Sequence, residues 1–157
     1  MKLCIKEKVL SLKGRFFVRD EAGQERYAVQ GDWEAAGNTL RVYDMEGIEI
    51  VSIQEIRDLL TTEYRVLEYG EEIARIRHTY AWFKPRYAVS GLDWVVTGSL
   101  TEHRYTISKR GQTIATIRRK WLPLLNHYEL DCEDAANEVN ALAVLLVINF
   151  VLNASIK

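Results

Sequence analysis

Acid–base and metal chemistry have little to work with in this chain. His78, His103 and His127 are the only histidines, and they fall in separate stretches. No His-x-x-x-His or Cys-x-x-Cys spacing brings two metal donors onto one face, and Cys4 and Cys132 lie far apart. Ser11, Ser52, Ser90, Ser99, Ser108 and Ser155 all lack the Gly-x-Ser-x-Gly setting of a nucleophile elbow. No glycine-rich phosphate loop leads into a helix. Neither catalysis, nor a cofactor, nor a metal is therefore expected.

What is concentrated is positive charge. Residues 73–120 hold ten Lys and Arg against only Asp93 and Glu102, a balance of +8, whereas residues 1–72 carry −5 and residues 121–157 carry −4. A guanidinium offers five donors in a planar fork that fits phosphate and carboxylate. The chemistry this segment could do is anion recognition, with Arg75, Arg77, Arg104, Arg118, Arg119 and Lys120 as candidate contacts. Arg118-Arg119-Lys120 is the densest run, and on a strand Arg118 and Lys120 point one way and Arg119 the other. The sum over the chain is −1, so no global field draws it to nucleic acid, which is not an expected partner.

The elements that must carry these residues are mostly short strands. A chain of 157 residues, 48% hydrophobic and with two prolines, fits one domain spanning 1–157. Its N-terminus mixes charged and apolar residues and does not read as a signal peptide, and two distant cysteines suit a reduced, cytoplasmic setting. Ala22-Gly23, Glu46-Gly47, Tyr69-Gly70 and Arg110-Gly111 each separate runs rich in β-branched and aromatic residues, the mark of hairpin turns. Twelve strands are predicted near 2–8, 15–20, 25–30, 38–43, 48–56, 62–68, 71–79, 85–90, 93–98, 103–109, 112–120 and 126–131.

The hairpins also resemble one another. Tyr64, Val66, Gly70, Ile73, Ile76, Arg77, Tyr80, Phe83 and Tyr87 recur 41 residues later as Tyr105, Ile107, Gly111, Ile114, Ile117, Arg118, Trp121, Leu124 and Tyr128. A fainter copy runs through Tyr43, Gly47, Ile50 and Ile53, and Tyr27 to Trp33 is similar to Tyr87 to Trp94. Repetition of one strand–turn–strand unit predicts an antiparallel meander. The spacing of three between Ile73 and Ile76, and between Ile114 and Ile117, breaks alternation and predicts a bulge or a twist at each place. Trp33, Trp82, Trp94 and Trp121 sit near strand ends, where core or rim packing is expected.

The last element is different in kind. A helix is predicted over 134–153, capped by the acids around Asp134, and from Ala141 to Leu152 it is apolar on every side except at Asn149. That run covers about 18 Å, short of the roughly 30 Å hydrocarbon core of a bilayer, so no transmembrane span is expected. A helix apolar all round must be buried all round. A barrel of about twelve strands leaves a lumen that such a helix would fill. Asn149 is expected to hydrogen-bond the barrel wall and set the register of the helix.

The Tyr-x-Val/Ile, Gly, Ile-x-x-Ile-Arg hairpins, the Tyr-x-Val-x-Gly segments ending at Trp33 and Trp94, and the hydrophobic helix together resemble the LURP-one-related proteins, of the Tubby C-terminal-like superfamily. Phospholipid scramblases are further relatives. The resemblance implies a mainly β fold, a closed antiparallel barrel of about twelve strands around a central C-terminal helix. Tubby-type domains bind phosphoinositide headgroups through surface cations, so it also implies a non-enzymatic binding or adaptor domain for an anionic lipid headgroup or an acidic protein surface, cytoplasmic and peripheral at the membrane. Scramblase-like membrane action, with the terminal helix inserting in the bilayer, is the alternative, and an enzyme with a pocket at the barrel rim is a third.

Overall fold

The computed structural model describes residues 1–6, 14–34, 37–58, 62–79, 85–99, 103–120 and 127–154. Twelve strands run in order: β1 (Lys2–Lys6), β2 (Gly14–Asp20), β3 (Glu25–Glu34), β4 (Gly37–Tyr43), β5 (Glu49–Arg57), β6 (Thr62–Glu68), β7 (Glu71–Thr79), β8 (Arg86–Ser90), β9 (Trp94–Ser99), β10 (Arg104–Lys109), β11 (Gln112–Lys120) and β12 (His127–Cys132). Each pairs antiparallel with its sequence neighbours, and β1 pairs with β12, so the sheet closes on itself. The observed strands lie within a few residues of the expected ones; residues 7 and 8, Trp82, Trp121 and the Tyr80/Trp121 and Phe83/Leu124 repeat positions fall outside the described residues.

Alternation does what period-two patterning requires. In β6, Tyr64 and Val66 are buried while Arg65 and Leu67 are half-buried on the outer face, and β10 repeats this with Tyr105 and Ile107 inside. The two expected bulges are present, and two more accompany them. The ladder slips by one residue opposite Val66 and opposite Ile107, leaving Ile73 and Ile114 as the extra residues. The same slip leaves Ile50 unpaired in β5 and Arg26 in β3. Each bulged residue precedes an inward residue by three: Val29, Ile53, Ile76 or Ile117. In the turns, Asp20 and Asp44 each accept two backbone N–H bonds through one carboxylate oxygen, and Gly111 supplies the positive φ (+81°) of the β10–β11 hairpin.

After β12, Asp134 caps a single 3₁₀ turn, Ala135–Asn137, by accepting from the Ala136 N–H, and α1 follows (Glu138–Ala154). Every residue from Ala141 to Phe150 is buried, on all sides of the helix. Encirclement by the barrel is the reason, and it turns the unbroken apolar run into the core. Around it stand inward residues of all twelve strands, such as Val18, Val42, Ile76, Ile107 and Leu130. Phe150 meets the Tyr64 ring with centroids 6.1 Å apart. No helix among the described residues is long and apolar enough to cross a membrane. The expected bond from Asn149 to the wall is not seen: Asn149 is buried, and its Oδ1 has no partner among the described residues.

Candidate anion-binding surface

Closure of the barrel decides where the six candidate cations go, and it separates them. Four strand-to-strand steps lie between β7 and β11, roughly 19 Å at the usual interstrand spacing. Arg75 and Arg77 therefore occupy a different part of the wall from Arg104, Arg118 and Lys120.

On β6 and β7 the cations are already engaged. Arg77 Nε donates to Glu63 Oε1 at 2.9 Å, Arg75 Nε donates to Glu72 Oε1 at 2.9 Å, and Arg75 Nη1 lies 3.5 Å from Glu63 Oε2. Arg65 Nε adds a second bond to Glu72 at 2.8 Å. The result is an alternating lattice of guanidinium and carboxylate. The bond from Arg77 holds the Glu63 carboxyl below its ordinary value, as those from Arg65 and Arg75 do for Glu72. These carboxylates already neutralise the charge and occupy several of the donors that an incoming anion would need.

On β11, two of the three consecutive cations are occupied as well. Lys120 Nζ lies 2.8 Å from Glu129 Oε1, and this contact holds Glu129 below the usual carboxylate range. Arg119 is on the inner face opposite Tyr128, with its guanidinium carbon 5.9 Å from the ring centroid. The alternation expected from sequence is thus what the strand shows.

Arg104 and Arg118 are different. They are direct cross-strand partners on β10 and β11, both exposed, and neither makes a side-chain hydrogen bond or ion pair among the described residues. Arg86 on β8 is a third exposed arginine in the same condition. Between them the outer wall carries hydroxyls, with Thr97, Thr106 and Thr116 in register across β9, β10 and β11 and Ser99 opposite Arg104. Strands β8 to β11 contain no Asp or Glu. Two like charges placed opposite each other on a sheet repel by some tenths of a kcal/mol, and an anion between them would remove that cost. Two forks side by side can hold a phosphate or carboxylate by several charge-assisted bonds. Sequence reasoning named both residues but could not separate them from the engaged four.

The histidines do not converge. His78 stacks on Tyr87 (centroids 4.6 Å apart), His127 Nε2 is 3.9 Å from Glu129 Oε1, and His103 precedes β10. Burial lowers the basicity of His78. Among the described residues no three His, Cys, Asp or Glu side chains are placed to share a metal ion.

A polar cluster that the sequence did not suggest sits at the start of α1. Glu138 is buried; its Oε1 accepts from the Tyr27 hydroxyl at 2.6 Å and lies 3.4 Å from Arg26 Nη2. Burial and this bond push the Tyr27 phenol well above its ordinary range. Arg26 is the bulged residue of β3, where the other three bulges carry isoleucine. The one signal in the sequence was that exception. Its meaning depended on a partner 112 residues away.

A closed antiparallel barrel of twelve strands threaded by its own hydrophobic C-terminal helix defines the fold class of this protein. The family model for LURP-one-related proteins matches residues 1–150, and the chain belongs to that family. It is 25% identical over 152 residues to the uncharacterized protein YxjI of Bacillus subtilis (strain 168), covering 97% of this chain and 94% of that one. An X-ray structure of a protein from Arabidopsis thaliana superposes with a TM-score of 0.62 at 17% identity, covering 97% of this chain and 91% of that one. The likeness to the plant protein is one of fold.

Proposed function

We propose that the protein is a non-enzymatic binding or adaptor domain that recognises an anionic group through Arg104 and Arg118, with Arg86 at the margin. Its partner is an anionic phospholipid headgroup, met in the cytoplasm at the periphery of a membrane. The observation that carries this reading is the pair of exposed, directly opposed arginines, neither in an ion pair among the described residues; Glu129, across from Arg118 on β12, is engaged by Lys120. Arg75, Arg77 and Lys120 contribute to the field but are held by Glu63, Glu72 and Glu129. Arg119 supports the inner wall. Scramblase-like insertion of the terminal helix has no supporting observation, since ten consecutive helix residues are encircled by the barrel.

The test is co-sedimentation of the full chain with vesicles of neutral lipid, alone or mixed with anionic lipid, at low and high salt. Retention on the anionic vesicles is expected, falling as salt rises. It should drop roughly tenfold, about 1.4 kcal/mol, in the Arg104→Ala, Arg118→Ala double variant and stay near wild type in Arg75→Ala, Arg77→Ala. Equal retention on neutral vesicles removes the lipid reading and turns the search to acidic protein surfaces.

A further inference from the structure

A second surface, remote from the arginine pair, carries the opposite character. The described residues include five exposed large hydrophobic side chains, and three of them gather on two neighbouring turns: Met45 (49% exposed) and Ile48 (50%) between β4 and β5, and Tyr69 (72%) between β6 and β7. The turns are adjacent because the Tyr69 N–H donates to the Ile50 carbonyl at 3.2 Å. Isolated apolar residues on a surface are ordinary, whereas a gathered group marks a contact site. Tyr69 also occupies a left-handed position (φ +49°), where a hairpin turn favours Asn, Asp or Gly. Turn chemistry does not account for an aromatic there.

Charge indicates what this tip can receive. Residues 44–50 and 67–73 contain six acids and no Lys, Arg or His. Asp44 caps its own turn, Glu49 is held by Arg41, and Glu72 by Arg65 and Arg75. Glu46, Glu68 and Glu71 are exposed and have no ion pair among the described residues. An anionic membrane would be repelled by this collar. A second copy docked symmetrically would set the same carboxylates against one another. A segment with lysines or arginines beside an apolar face meets both features.

We propose that Met45, Ile48 and Tyr69, ringed by Glu46, Glu68 and Glu71, form a docking surface for a cationic amphipathic segment of a partner protein. The apolar side chains supply the contact and the carboxylates the orientation and rate of encounter.

The probe is a synthetic helical peptide of about 18 residues with leucine on one face and lysine on the other, titrated into the isotopically labelled full chain and followed by amide NMR shifts. Saturable binding is expected, with shifts confined to residues 44–50 and 67–73 and affinity falling as salt rises. Affinity should drop roughly tenfold in Met45→Ser, Tyr69→Ser and again in Glu46→Gln, Glu68→Gln, Glu71→Gln. All five positions are exposed, so the variants should keep the wild-type circular dichroism spectrum. The proposal is overturned if a scrambled peptide of the same composition binds equally well, or if the shifts map to β8–β11. Occupation of the tip by anionic vesicles or by a second copy overturns it too.

Discussion

At the scale of single residues, backbone position decides the cost of change. Gly91 has φ +93°, and a Cβ added there would lie 2.2 Å from the Ile73 carbonyl oxygen. Gly47 has a similar φ of +85°, but nothing lies within 4 Å of its missing Cβ. Gly47→Ala thus carries conformational strain alone, about 1 kcal/mol. Gly91→Ala adds a backbone clash on the neighbouring strand and is expected to cost about 1–3 kcal/mol more, a difference that denaturant titration of the two variants would measure.

Buried phenols make a second prediction at this scale. Burial raises the Tyr64 hydroxyl from 10.0 to about 12, and it raises Tyr27 and Tyr105 as well. Above pH 10 the unfolded chain releases these protons while the folded protein retains them. Stability therefore falls as pH rises from about 10 through about 12, because there the native state binds more protons. For Tyr64 alone the full loss is about 2–3 kcal/mol. Tyr64→Phe should flatten the alkaline limb of a stability–pH curve. An unchanged limb would mean that the phenol ionises as easily folded as unfolded.

At the scale of elements, α1 and the barrel depend on each other. Ala141 to Phe150 are buried only because strands surround them, and the lumen is filled only because the helix occupies it. Removing residues 137–157 should unfold the whole protein, seen as loss of strand signal and of a cooperative thermal transition. A membrane-anchor helix would instead leave a folded remainder. Leu145→Ala, a milder change at a fully buried position, should cost about 2–5 kcal/mol. The four bulges belong to this scale too. They recur at matching places in the β2–β3, β4–β5, β6–β7 and β10–β11 hairpins, and a bulge sharpens local twist, which helps twelve strands curve into a ring.

At the scale of the whole molecule, closure is uneven among the described residues of the ring. Among the described residues β1 and β2 pair only at Leu3–Asp20 and Cys4–Arg19, whereas β5 and β6 pair over seven positions. Opening free energies follow such differences. Amide hydrogen exchange in β2 is expected to be faster than in β6 or β10, and uniform protection around the barrel would contradict this seam. Closure also separates two unlike surfaces: the arginine pair faces outward from β10 and β11, while the acidic, apolar tip lies at the turns of β4–β5 and β6–β7.

Much of this was legible in the residues themselves. Turn glycines, period-two alternation, the three-residue spacing at Ile73 and Ile114 and the unbroken apolar run after Ala141 all act through neighbours a few positions away, so they determine strands, bulges and a buried helix without reference to the rest of the chain. That such a helix needs a surrounding wall then follows from its lack of a polar face. Which cations stay unpaired did not follow. Register sets Arg77 against Glu63 and Arg118 between Arg104 and Glu129, yet Glu129 bonds Lys120 on the diagonal, so side-chain placement decides beyond register. The same holds for Glu138, whose partners Arg26 and Tyr27 come from the other end of the chain. Local patterning is written along the sequence, but an ion pair forms only where folding brings two distant side chains within about 4 Å, and that only the closed barrel decided.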